Sequence, residues 1–304
     1  LTESILALKS CKVVGTIVEK PVGEAYLKQN PELEFADVKF NEEKQPTCIA
    51  VPKNSPILLK HLNQTIDEVN NKNLIDKYMN QAAQDMQDDG NFFTKYGSFF
   101  IKGIKNTILI SLVGVILGSI LGAFIALLKI NKFKPLSWLA SIYIEFLRGT
   151  PMLVQVFIVF FGTTAALGLD VSALICGTIA LIINSSAYIA EIIRAGINAV
   201  DKGQMDATRS IGLNFIQTMK SVIMPQAIKN ILPALGNEFV TLIKESSIVS
   251  TIGVGEIMFN AQVVQGISFD PFTPLIVAAV LYFILTFALS RIMSLVEGRM
   301  KASD

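Results

Sequence analysis

Charge is what this chain has least of. Only 17% of its 304 residues are Asp, Glu, Lys or Arg, against about 25% in ordinary soluble domains. A net charge of +1 gives no support for a nucleic-acid binder, which would show a basic face. Histidine occurs once, as His61, without ligand-like neighbours at metal spacing, so a surface helix position is the better reading. The three cysteines, Cys11, Cys48 and Cys176, are too few and too scattered for a disulfide framework or a metal cluster. Cys176 lies within an apolar run and reads as a small buried hydrophobe. No G-x-x-x-x-G-K-[ST] stretch occurs, so the chain has no P-loop with which to hold ATP. Nor does a nucleophile–base pair stand out, which leaves a membrane enzyme poorly supported. There is no signal peptide and the first residue is Leu1, not methionine; the expectation is that an N-terminal portion precedes it.

What is present divides into two unlike parts. Residues 1–86 read as soluble. "KVVGTIVEK" (Lys12–Lys20) and "PTCIAVPKNSP" have the β-branched content and bounding turn residues of short strands. Pro21 opens a candidate helix. Ile57, Leu58, Leu62, Ile66 and Val69 recur at helical spacing. The expectation is an α/β fragment, followed by a polar linker over 87–106.

Residues 107–304 are different. Thr107–Leu128 runs 22 residues without a charge, about 33 Å of helix against a hydrocarbon core of about 30 Å. Gly114, Gly118 and Gly122 stand four apart, a small-residue face suited to close helix contact. Further spans are expected near Leu136–Gly162, Val171–Ala190, Ile231–Ile243 and Pro274–Val296, the second interrupted by Glu145, Arg148 and Pro151. With five spans and the N-terminus outside, Lys129, Lys132, Lys134, Lys202, Arg209, Lys220, Lys229, Arg299 and Lys301 all fall inside. The outside segments 163–170 and 246–272 contain no Lys or Arg, as the positive-inside rule requires. Lys102 and Lys105 run against it. The C-terminus is then cytoplasmic.

One inside segment, 199–229, is polar between two apolar regions. Asp206, Ala207 and Thr208 are followed after three residues by Gly212, and after nine more by Val222, Met224 and Pro225. This resembles the E-A-A, three residues, G, nine residues, I-x-L-P loop of ABC importer membrane subunits, with Asp for Glu, Thr for Ala, Val for Ile and Met for Leu. "SAYIAEIIRAGINAV", "MPQAIKNILPALGNEFVTLIKESSI" and "EFLRGTPMLVQVFIVFFG" extend the resemblance to the polar amino acid permeases of the histidine/glutamine/arginine type, over nearly all of residues 100–300. The resemblance implies the all-α type I importer permease fold and a cytoplasmic loop that docks an ATPase. Gly203, Asp206, Ala207, Thr208, Gly212 and Pro225 would be its coupling residues. Small Ala207 and Gly212 would permit close approach, Asp206 would hydrogen-bond or cap a helix start, and Ile211, Leu213, Phe215 and Ile216 would anchor in a groove. The rival, an amphipathic helix lying on lipid, has no need of this fixed Gly and Pro spacing.

The N-terminal stretch "VVGTIVEKPVGEAYLKQNPEL" together with "CIAVPKNSPILLKHLNQTIDEV" is similar to the C-terminal end of the periplasmic-binding-protein-like domains that serve such importers. By that alignment Glu19 takes the place of the Asp that grips the ligand's α-ammonium group; a surface glutamate at a strand end is the alternative. Inside the spans, ionisable residues are costly and are usually functional or paired. Glu238 with Asn237, and Asn184 with Ser185 and Ser186, are candidates to line a substrate path. Glu145 with Arg148, and Glu191 with Arg194, stand three apart and are expected to pair.

The expectation is therefore a multi-pass cell-membrane permease carrying an extracellular solute-binding segment and moving a polar amino acid. It would work with a second copy of itself, and ATP and Mg would be bound by a separate ATPase subunit, with no metal or cofactor in this chain. A ligand-gated receptor or channel with the same kind of binding domain is the alternative. A secondary transporter is disfavoured because no intramembrane proton or sodium site stands out.

Overall fold

A computed structural model describes residues 2–37, 49–75, 77–78 and 91–301. It divides into two units, 1–95 with 265–271, and 96–264 with 272–304.

In the first unit the helices are α1 (Thr2–Lys9), α2 (Lys20–Gln29) and α3 (Pro56–Asn71). Pro21 sits in the first turn of α2, where its missing N–H removes no helical bond. The two expected strands are not formed: among the described residues there is no sheet, and the α/β fragment expected from the sequence is not seen. Part of the second candidate, 46–48 with Cys48, lies outside the described residues. A strand needs a neighbouring edge for its N–H and C=O groups. Residues 15–19 run irregularly with no ladder partner. Val14 and Ile17, which a sheet would cover, are bare. The helical spacing in 56–71 does give a helix, although α3 buries none of its residues.

The second unit is built on α4 (Phe92–Ile130), α5 (Lys134–Gly149), α6 (Met152–Leu167), α7 (Ala173–Asn198), α8 (Lys202–Ser210), α9 (Phe215–Thr218), α10 (Met224–Glu245), α11 (Ile257–Ser268) and α12 (Thr273–Lys301). A π-turn, Met219–Ile223, joins α9 to α10, and a 3₁₀ segment, Ser246–Ile252, follows α10. From Phe92 the expected linker is part of α4.

Three helices, α4, α7 and α12, are long and apolar enough to cross a membrane alone. The expected second and fourth spans are instead bent pairs: α5 with α6 turns by 107°, and the segment Phe215–Ile252 with α11 by 49°. Counting each pair as one span gives five. The sharper bend has a local cause. Pro151 cannot donate a helical hydrogen bond, and a proline drives the residue before it out of the helical region; Thr150 is accordingly extended, at φ −113° and ψ 145°.

α7 is the central element, with 56% of its apolar window buried against 6% for α12. Ile110, Val156, Leu181, Leu242 and Val249 form one core layer; Ile125, Ala126, Ala140, Ile144, Ala187 and Ala190 form a second. The glycine stripe of α4 packs where its spacing predicts. A methyl group on Gly118 would stand 2.1 Å from Ser185 Oγ, and one on Gly122 would stand 2.8 Å from the Ser186 carbonyl oxygen. Gly118 and Gly122 thus let the two helices meet closely, while a methyl on Gly114 would find ordinary 3.7 Å contacts.

Candidate functional site

The segment between α7 and α10 is a chain of terminators. Asp201 caps α8, its Oδ1 accepting from the Gly203 N–H at 2.6 Å. The cap expected of Asp206 therefore belongs to Asp201, and Asp206 stands exposed within the helix. Thr208 is buried and turns its hydroxyl back onto the Gln204 carbonyl at 2.8 Å. α8 stops at Gly212, which sits at φ +93°. The Gly212 N–H reaches the Arg209 carbonyl at 3.1 Å and the Leu213 N–H reaches Thr208 at 3.1 Å. These are the two bonds of a Schellman termination, which favours glycine at this left-handed position. Asn214 and Gln217 then exchange reciprocal cap bonds, each 2.9 Å, to start α9.

The π-turn follows, its last bond running from the Met224 N–H to the Met219 carbonyl. Pro225 comes one residue later, in the first turn of α10, where a helix tolerates it. Val200, Ile223, Ala227 and Ile231 form a small core beneath, with Met205 and Met219 packed against it. Outside, Ile211 is 77% exposed, Ile216 74% and Phe215 56%; Leu213 is half-buried. Gly203, Ala207, Gly212 and Pro225 are exposed as well. The six coupling candidates thus lie on one capped helical tip that offers its apolar side chains outward.

The interior candidates separate. Glu238 is buried while its neighbour Asn237 is exposed, so the two do not share surroundings. Asn184 is buried and donates to Gln155 Oε1 at 2.9 Å, while its own Oδ1 has no partner. Ser185 is 3.3 Å from the Gly114 carbonyl, and Ser186 meets the Tyr143 hydroxyl at 2.8 Å; both hold helices together. Glu19 is exposed at the N-cap of α2 without a side-chain cap bond.

Glu191 pairs with Arg194 as its spacing suggests, and also with Lys129 of α4 at 3.1 Å. The other expected pair is not formed: Arg148 lies over the Tyr188 ring at 5.4 Å. A guanidinium on an aromatic face at this range gains a cation–π attraction, which here replaces the carboxylate three residues earlier.

Two residues escaped the sequence reading. Gln155 Nε2 donates to the Leu147 carbonyl at 2.7 Å, and to Thr150 O and Oγ1 at 3.2 and 2.8 Å. It satisfies acceptors that the α5–α6 break leaves without helical partners. Its signal was a long amide four residues after Pro151. Glu256 is fully buried and caps α11, its carboxylate oxygens accepting from the Met258 and Phe259 N–H groups at 3.0 and 2.6 Å. The Tyr282 hydroxyl of α12 also donates to it. The adjacent Gly255 carbonyl accepts from Asn106 of α4 at 2.7 Å. An acid directly before an apolar helix, in "GVGE", was the available signal.

Apolar helices and bent pairs around a central span, with a capped polar tip between two of them, define a multi-pass membrane transport component. The family model described as "Binding-protein-dependent transport system inner membrane component" matches residues 114–302, and the chain belongs to that family. It is 42% identical to the arginine transport system permease protein ArtQ of Bacillus subtilis (strain 168), over 68% of this chain and 94% of that protein. It is 41% identical to the putative glutamine transport system permease protein GlnP of Rickettsia bellii (strain RML369-C), over 67% and 94% of the two. A solved "amino acid ABC transporter with histidines" shares 46% identity with a TM-score of 0.66, covering 69% of this chain and 99% of that one. The chain is a transport permease, not an enzyme.

Proposed function

We propose that this permease, as part of an amino acid ABC importer, moves a polar amino acid of the glutamine, glutamate, histidine or arginine class across the cytoplasmic membrane by alternating access. ATP and Mg are bound by a separate ATPase subunit, two of which dock beneath a pair of permease copies, in this reading a homodimer. The tip from Asp201 to Pro225 carries the proposal. Its helix ends are closed by Asp201, by the Gly212 turn and by the Asn214–Gln217 caps, and Ile211, Phe215 and Ile216 stand exposed on it. A helix that presents apolar anchors on a rigid base suits a groove on a soluble subunit. Closure of the ATPases draws the two tips together and opens the path outward, and reopening reverses it. Such a cycle requires the ATPase dimer to bind one permease state more tightly than the other.

Residues 1–86 are, in this reading, the C-terminal part of an extracellular solute-binding domain that delivers the amino acid, with the C-terminus of the chain in the cytoplasm. Glu19 would meet the ligand's ammonium group. Asn184, Glu238 and Asn237 are the candidates for the membrane path.

Gly212→Trp tests the coupling role. A methyl group at Gly212 meets nothing within 4 Å, but its positive φ strains any L side chain, so Gly212→Trp is read against Gly212→Val, which carries the same strain without the ring. ATP-driven uptake into vesicles should be abolished while ligand binding outside persists; normal uptake would count against docking. Glu238→Gln should alter transport kinetics, and unchanged kinetics remove Glu238 from the path. Ligand-induced thermal shift on the complete extracellular domain, with each amino acid in turn, identifies the cargo.

A further inference from the structure

The turn joining α4 to α5 carries a cationic site that the transport reading does not use. An open groove of about 740 Å³ runs along it, lined by Asn131, Lys132, Lys134, Ser137 and Trp138 among others. Its frame is fixed by hydrogen bonds: Asn131 Oδ1 accepts from the Phe133 N–H at 2.8 Å, and Ser137 Oγ donates to the Lys129 carbonyl at 2.8 Å. Lys129, at the same end, is held by Glu191. Lys132 and Lys134 are exposed, and neither has an ion-pair partner among the described residues. The sequence supplies no nearby counter-charge either, since no Asp or Glu stands between Asp89 and Glu145.

Two free cations on an open groove call for an anion, and its volume of about 740 Å³ leaves room for more than the anionic group itself. The neighbouring surface says which kind. Trp138 is 68% exposed and Leu139 60%, both on the helix that the two lysines introduce. An indole beside exposed leucine, one turn from cations, matches the boundary between headgroup and acyl chain in a bilayer. We propose that this groove binds the phosphate of an anionic phospholipid, with Lys132 and Lys134 as its cations and Trp138 packed beside the glycerol backbone. The site lies at this end of α4 whichever leaflet that end faces, and it does not depend on the cargo or on ATPase docking.

Trp138 is the single tryptophan of the 304 residues, so its fluorescence reports on the groove. The full chain is reconstituted in bilayers of phosphatidylcholine and phosphatidylglycerol at fixed ratio, with bromine placed on the acyl chains of one lipid or the other. Brominated phosphatidylglycerol should quench Trp138 beyond its mole fraction, corresponding to a preference of about fivefold per lysine at low salt. Lys132→Gln with Lys134→Gln should bring quenching down to the mole fraction; both residues are exposed, so the fold is kept. Equal quenching by the two brominated lipids, or an excess that survives the double substitution, overturns the proposal. Inorganic phosphate is added against chloride at matched ionic strength. Release of the lipid by phosphate alone would assign the groove to a soluble anion instead, and release of the excess by an added ATPase subunit would assign it to a protein interface.

Discussion

A carboxylate buried in an apolar bundle must be compensated where it stands, and Glu256 is compensated three ways. Two backbone N–H groups and the Tyr282 hydroxyl reach it from α11 and α12, and its own loop is tied to α4 through Asn106. Removing one donor is milder than removing the acceptor. Tyr282→Phe should cost about 1–2 kcal/mol in a detergent denaturation series, because the two backbone bonds remain. Glu256→Leu should cost about 3 kcal/mol or more, because it strands buried donors. If the two variants were equally stable, the three-donor account of this cap would be wrong. Gly212 is constrained differently: its surroundings are open and only its positive φ selects glycine. Asn, which tolerates the left-handed region, should retain most uptake there, while Val should lose about 1–2 kcal/mol of local stability.

At the scale of the helix, the glycine stripe of α4 makes a graded prediction. Gly114→Ala adds a methyl group at an ordinary 3.7 Å from its neighbours, whereas Gly122→Ala drives one to 2.8 Å from the backbone oxygen of Ser186. Backbone cannot rotate away as a side chain can. Gly122→Ala should therefore destabilise by about 1–3 kcal/mol and Gly114→Ala hardly at all, as measured by thermal unfolding in detergent. Equal effects would mean that α4 and α7 yield to each other. This stripe was readable from spacing alone, as were the charge-free run of α4 and the helix over 56–71, whereas the polar tip was picked out through its resemblance to a family loop. The breaks were harder to read. Pro151 and the charges around it showed that the second span was interrupted, but hydropathy carries no bend angle such as the 107° found here. The two strand readings failed because β-branched runs specify a strand only when another edge lies beside them.

Across the whole molecule, the distribution of lysines and arginines among the loops predicts which end faces which compartment, and the thiols offer a direct measurement. Cys11 is exposed and Cys176 is buried. With Cys48 and Cys176 replaced by serine, a membrane-impermeant maleimide added to intact cells should label Cys11. Labelling only after the membrane is opened would reverse the orientation proposed here. Arg148 illustrates why charge spacing alone left the interior undecided. Glu145 stood at pairing distance along the helix, but the three-dimensional packing put the Tyr188 ring beneath the guanidinium.

The π-turn at Met219–Ile223 acts as a phase shifter. It slips one extra residue into the helical winding between the tip and α10, and each residue of an α-helix turns the chain by about 100°. The buried face of α10 and the outward face of α9 are thus set at an angle that an uninterrupted helix would not produce. Deleting Ser221 would let the winding close up. α10 would still present Ala227 and Ile231 to its core, but Phe215 and Ile216 would swing by roughly a quarter-turn. A folded permease that hydrolyses nothing through its partner and carries nothing inward is the expected outcome, because the gear teeth would be intact but cut out of step.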